Sequence, residues 1–166
     1  KSAVRKRFDL AEAADRAVAS YRASGKLKAE VVFSSRAPAP VYADPLELEL
    51  VLLNLIRNAD EAMEAAGTRF PKIYLTTEES AGSSSVRVED DGPAVDLEAF
   101  ERRADAMEST KDGGLGLGLS IARSLTEAQG GAMRFSRGPR GGVAVTLSFP
   151  EDRGPEPEGA GKEKET

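Results

Sequence analysis

Cysteine and histidine are both absent from this 166-residue chain. Without cysteine there are no disulfides and no thiolate metal sites, and a reducing compartment is compatible with the sequence. Without histidine, Ser-His-Asp and Cys-His catalysis, imidazole-bound zinc and any phosphohistidine formed on the chain itself are excluded. No apolar run approaches the ~18 residues that a membrane-spanning helix requires, and no signal peptide is visible. A basic excess is missing too: 23 Lys and Arg stand against 28 Asp and Glu, a net charge of −5. The stretch from Glu151 to Thr166 holds six acidic and three basic residues, so it carries −3 of that charge and leaves −2 for residues 1–150. A near-neutral body lacks the basic stripe of a nucleic-acid-binding surface.

What is present, 40% apolar and 31% charged positions, suits one soluble domain with one core. The first residue is Lys1 rather than Met, from which a piece of a longer protein is expected. Composition divides the chain into a basic linker over 1–7, a folded domain over 8–150, and a Pro-, Gly- and Glu-rich tail over 151–166 that is expected to be disordered.

Within the domain, apolar and Ala positions recur at helical spacing from Leu10 to about Ala23, before Gly25. Residues 29–34 and 41–43 read as short strands separated by Pro38 and Pro40. Asp44, Pro45 and Glu47 form a helix start with the pattern of a capping box. The helix is expected to run to about Ala66, with Leu48, Leu52, Leu55, Ala59 and Ala62 as its core stripe and Asn54 and Asn58 as a second stripe beside it. Residues 72–77 and 85–90 read as strands joined by a turn at Gly82 and Ser83 to Ser85; Val86, Val88 and Asp90 share one face of the second. Residues 96–113 show charge and no strand pattern, which suggests a mobile segment. A helix then follows Gly118 to about Gln129, and strands near 132–137 and 142–149 close the domain. This order of elements predicts an α+β fold: a mixed, mostly antiparallel sheet covered on one face by helices.

Three groups of residues can carry chemistry. Gly114, Gly116 and Gly118 stand immediately before a helix, where unhindered backbone N–H groups and a helix N-terminus can face phosphate. The spacing is neither that of a Walker A loop nor that of a dinucleotide fingerprint, and a ligand-free glycine loop is the equal alternative. Asp90 ends its strand in the run Glu89-Asp90-Asp91-Gly92-Pro93. A buried carboxylate there needs donors, and the exocyclic amine of adenine is one; a turn residue bonding its own backbone is the other reading. Asn54 and Asn58, at i and i+4 in mid-helix, can offer neutral amide oxygens to a hard cation such as magnesium, or hydrogen-bond between helices.

In this order the groups resemble a known family. Asn54-Leu-Ile-Arg-Asn58-Ala-Asp-Glu-Ala resembles the N box of the superfamily that unites gyrase, the heat-shock chaperone, mismatch-repair ATPases and sensor histidine kinases. Asp90-Asp91-Gly92-Pro93-Ala94 resembles its first glycine box. Thr110-Lys111, Gly114 to Ser120 and the closing Glu127-Ala-Gln-Gly130-Gly131 resemble the second glycine box and its helix as found in histidine kinases. The resemblance covers about residues 8–150 and implies a two-layer α/β sandwich of the Bergerat type.

The resemblance implies roles for matching residues only. Asn58, with Asn54 close by, would hold Mg2+, and Asp90 would accept from the adenine amine of ATP. Gly92, Ala94, Thr110, Gly114, Gly116, Leu117, Gly118 and Leu119 would line the nucleotide site. Lys111 would approach the terminal phosphate, or be a solvated lysine, in a lid over 96–113. Three positions depart from the family pattern: Ala94 replaces a glycine, Gln129 a histidine, and Phe100 is the lid's only aromatic.

Asn54 also separates the branches. Hydrolytic members and anti-sigma-type serine kinases carry Glu there, which can serve as a base; an amide cannot. The implied function is the cytoplasmic ATP-binding catalytic domain of a sensor histidine kinase whose parent protein can be membrane-anchored. It would pass the γ-phosphoryl group to a histidine on a separate dimerisation domain of the same parent, and from there to a response regulator receiver domain. A nucleotide-sensing or partner-docking module without catalysis is the alternative, and a hydrolytic ATPase clamp a weaker one.

Overall fold

The computed structural model describes residues 4–105 and 118–150, and the order of its elements follows from local signals in the sequence. β1 (Lys6–Asp9) runs directly into α1 (Leu10–Ala23), because Asp9 caps the helix by accepting the Ala11 N–H at 2.9 Å. β2 (Glu30–Arg36) and β3 (Pro40–Ala43) precede α2 (Pro45–Ala65), whose first turn is capped by Asp44 through the N–H of Leu46 at 2.9 Å. β4 (Lys72–Ser80) and β5 (Ser83–Asp90) form a hairpin, followed by α3 (Leu97–Asp105). After α4 (Leu119–Ala128) the chain closes with a second hairpin, β6 (Ala132–Arg137) and β7 (Val143–Pro150).

The main sheet has five strands in the order β2-β4-β5-β7-β6. Among the described strands only β2 and β4 are parallel neighbours, a pairing that needs a long crossover, here supplied by β3 and α2; the other neighbours are antiparallel. β1 and β3 make a separate two-stranded ribbon. One face of the main sheet is apolar: Ile73 and Leu75, Val86 and Val88, and Val143, Val145, Leu147 and Phe149 lie in register and are buried. The helices pack on that face, with Leu10, Leu48, Leu52 and Ile56 fully buried between the layers. Truncating any of those four to Ala would cost about 2–5 kcal/mol. This is the α+β, two-layer arrangement with a mixed, mostly antiparallel sheet that the sequence predicts.

Four details differ from expectation. Ala62 is exposed and Met63 is buried in its place, because the α2 core stripe runs Leu48, Val51, Leu52, Leu55, Ile56, Ala59, Met63 and so drifts as a 3.6-residue period must. The β4–β5 turn is the two-residue pair Ala81 and Gly82, with φ of 50° and 77°, so both strands are longer than their apolar runs suggest. Two positive φ angles match the twist of a tight hairpin. Lys6 and Arg7, grouped with the linker by charge, belong to β1. Residues 97–105 form a helix, with the Asp96 carboxylate accepting the Glu98 N–H at 2.9 Å at its start.

Candidate functional site

Asp90 is the last residue of β5 and the end of its inner row, 8% exposed. Its Oδ1 accepts the Gly92 N–H at 2.9 Å, so the local turn bond forms and the carboxylate is buried as well. Gly92 has to be small: a Cβ there would lie 3.0 Å from Asp90 Oδ1 and 3.3 Å from Met63 Cγ on α2. Burial pushes the Asp90 carboxyl above its ordinary pKa, with the nearby Glu89 and Asp91 charges adding to the rise; the N–H groups of Gly92 and Val143 act against it. With two backbone N–H donors beside it, the carboxylate keeps further lone pairs to which a ligand amine could donate.

The two asparagines of α2 lie on one side of the helix but in different surroundings. Asn54 is 3% exposed; its Oδ1 accepts from Arg57 Nη2 at 3.2 Å, and its Nδ2 is buried without a hydrogen-bond partner among the described residues. The Asn54 amide oxygen keeps a second lone pair beside that bond. Asn58, one turn later, is half-buried, which leaves its neutral amide oxygen within reach of a hard cation. An orphaned amide N–H in Asn54 beside a half-open amide in Asn58 fits a site for a magnesium-bound phosphate chain.

Gly118 is the N-cap of α4, with no side-chain cap, and Leu119 opens the helix as a buried residue. The first N–H groups of such a helix have no partner within it, the property that suits phosphate. Ala94 is exposed, and the loop from Asp91 to Asp96 leads away from β5 into α3. Thr110, Lys111, Gly114, Gly116 and Leu117 lie outside the described residues, as does the part of the expected lid from 106 to 113. α2 packs against both β5 and α4, which brings Asn58, Asp90 and Gly118 onto neighbouring elements.

Two parts of the site's framework were not expected. Gln129, at the end of α4, is buried; its Oε1 accepts the Asp44 N–H at 2.9 Å and its Nε2 bonds Glu47. The capping box at the start of α2 is thus half intramolecular to the helix and half supplied by α4: Asp44 caps as expected, but Glu47 turns to Gln129. The same corner receives the start of the described chain, where the Val4 N–H donates to Asp44 Oδ2 at 3.2 Å and Arg5 Nη2 to the Ala128 carbonyl at 2.8 Å. The second part is the β6–β7 turn, whose Gly142 packs directly on Asp90: a Cβ there would lie 2.5 Å from Oδ1. The Gly141-Gly142 pair was the available signal, since adjacent glycines mark close backbone approach as well as turns.

The fold falls in the class of nucleotide-binding ATPase domains, and it places a buried strand-end carboxylate, a mid-helix asparagine pair and a helix N-terminus on adjoining elements. The chain belongs to the histidine kinase-, DNA gyrase B-, and HSP90-like ATPase family, which it matches over residues 43–153. Within that family its fold is that of the ATP-binding catalytic domain of a sensor histidine kinase. It is 33% identical over 134 residues to the C4-dicarboxylate transport sensor protein DctS of Rhodobacter capsulatus, covering 78% of this chain and 20% of that protein. The catalytic domain of histidine kinase ThkA superposes with a TM-score of 0.75 at 28% identity, over 90% of this chain and 97% of that one. ThkA in complex with the response regulator protein TrrA matches with a TM-score of 0.69 at 27% identity, over 89% of this chain and 42% of that one. The chain thus spans a fifth of the length of the DctS sensor.

Proposed function

We propose that this domain binds ATP with Mg2+ and transfers the γ-phosphoryl group to a histidine on a separate dimerisation domain of its parent protein, in the cytoplasm. In that transfer the bond from phosphorus to the β,γ-bridging oxygen breaks, a phosphorus–nitrogen bond forms to the imidazole, and ADP leaves. The absence of histidine from the chain requires the acceptor to come from elsewhere. Asp90 would select adenine by accepting from its 6-amino group. The N–H groups at the start of α4, with Gly114 and Gly116, would hold the phosphates. Asn58 would be the protein ligand of Mg2+, whose charge offsets that of the phosphate oxygens. Asn54 has no proton-accepting role to play, since an imidazole nucleophile needs positioning more than it needs a base. Lys111 would approach the γ-phosphate. The phosphorylated histidine would then serve a response regulator receiver domain; the match to a kinase solved with its regulator supports that partner.

The observation that carries this reading is the buried carboxylate of Asp90 at the end of an apolar row. Its test is phosphate transfer from labelled ATP to a supplied histidine-bearing dimerisation domain. Transfer is expected in the mixture and none by the domain alone. Tight MgATP binding with no transfer to any such domain would overturn the kinase reading in favour of a nucleotide-sensing module.

A further inference from the structure

β5 ends in two consecutive carboxylates that face opposite sides of the sheet. Asp90 closes the inner row; Glu89 lies on the outer face, between Tyr74 of β4 and Ala144 of β7. Glu89 is 6% exposed, and its Oε1 is buried with no hydrogen-bond partner among the described residues. Its compensation is two guanidinium groups, Arg87 Nη2 at 3.4 Å and Arg140 Nη1 at 3.5 Å. A buried anion is tolerable only where its cations are held in place. Arg140 is held by Tyr74: its guanidinium carbon sits 3.8 Å from the centroid of that ring.

Arg140 is the middle residue of the turn that links β6 to β7. The turn is closed by the Gly138 N–H donating to the Gly142 carbonyl at 2.7 Å and the Gly141 N–H donating to the Gly138 carbonyl at 2.9 Å. Its two outer glycines meet the two acids. A Cβ on Gly138 would overlap the Glu89 carboxylate, and one on Gly142 would overlap both the carbonyl and the carboxylate of Asp90. One turn therefore grips both carboxylates, and the side chain that fastens it is on the far face of the sheet from the nucleotide.

We propose that Arg140 is a positioning residue for purine recognition: pinned on Tyr74 and Glu89, it holds the 138–142 turn down so that Gly142 fixes where the Asp90 carboxylate meets the purine 6-amino group. This rests on the assignment of Asp90 to that amine. Arg140 touches no part of the nucleotide in this account and acts through Gly142.

The experiment compares binding of MgATP and of purine riboside triphosphate, the same nucleotide without the 6-amino group, to wild type, Arg140→Ala and Arg140→Lys. Wild type should prefer ATP. Arg140→Ala should lose about 5-fold in ATP affinity, the worth of one partly exposed ion pair and cation–π contact, while affinity for the analogue stays unchanged. Arg140→Lys, which keeps a cation over Tyr74, should restore most of the preference. Equal losses for both nucleotides would mean a general loosening of the fold and would overturn the proposal, as would an unaltered preference in Arg140→Ala. If wild type itself does not distinguish the two nucleotides, the Asp90 assignment fails and takes this proposal with it.

Discussion

Asp90 Oδ1 accepts the backbone N–H of Gly92 at 2.9 Å, so the carboxylate that ends the inner row of β5 also closes the turn that follows it. The two roles separate on substitution. In Asp90→Asn the amide oxygen can keep the turn bond, but the charged acceptor proposed for adenine is lost. ATP affinity should fall on the order of tenfold to a hundredfold, the worth of a hydrogen bond to a charged group, while the fold persists. Calorimetry checks it; unchanged affinity would remove Asp90 from the adenine site.

The raised Asp90 pKa gives the same residue a pH signature. Protonation removes the acceptor, so ADP affinity should decline on acidification at a pH above the ordinary carboxylate range, and Asp90→Asn should lack that decline. Stability moves the other way. A carboxyl whose folded-state pKa is raised favours the folded state fully below its unfolded pKa, and that contribution is lost as pH rises through the folded value. Asp90→Asn should therefore melt at or above wild type near neutral pH and lose its advantage in acid. A variant less stable than wild type throughout would show that burial of the charge is not the dominant cost.

Much of this site is legible in the sequence because its signals are local. The helix start at Asp44-Pro45, the asparagine pair and the Asp-Gly step at 90–92 each depend on residues within one turn of one another. What escaped is non-local. Nothing near Gln129 announces that it will take the Asp44 N–H from 85 positions away, and nothing near Arg140 announces Tyr74. β1 was missed for a related reason: its four residues are charged or half-buried and gain strand geometry only by pairing with β3. Ala62 was misplaced by extending a correct stripe one residue short of where the helical period takes it.

Asn58 and Asn54 should respond differently to truncation although they lie one turn apart. Asn58→Ala removes a half-buried amide oxygen and should cut the gain in ATP affinity that Mg2+ confers by about tenfold, with binding in chelator unchanged. Asn54→Ala frees Arg57 Nη2 from its 3.2 Å bond and should be felt first in thermal stability. If magnesium titrations of Asn58→Ala overlay wild type, the metal is held elsewhere.

The pairing of α1 with α2 rests on a buried acid that is separate from the nucleotide site. Asp60, 1% exposed, accepts from the Tyr21 hydroxyl at 2.8 Å, the Ala29 N–H at 2.8 Å and the Lys28 N–H at 3.2 Å, and so ties α1 and the entry to β2 onto α2. Burial, then the bond to Asp60, raises the Tyr21 phenol well above the ordinary range for tyrosine. Of the three tyrosines, one should thus resist ionisation until the protein unfolds in alkali, and ultraviolet titration of Tyr21→Phe should show that the resistant one is gone. Because the folded-state pKa is raised, the stabilisation is complete below the unfolded value and is lost as pH rises beyond it. Tyr21→Phe should cost about 1 kcal/mol, whereas Asp60→Ala, which strands a hydroxyl and two backbone donors, should cost about 3 kcal/mol or more. ATP affinity measured below each variant's melting point should match wild type, since the acid lies among α1, β2 and α2, on the face of that helix opposite Asn58 and away from the end of β5. A parallel loss of nucleotide binding in Tyr21→Phe would mean that the two faces of α2 are coupled more tightly than this geometry implies.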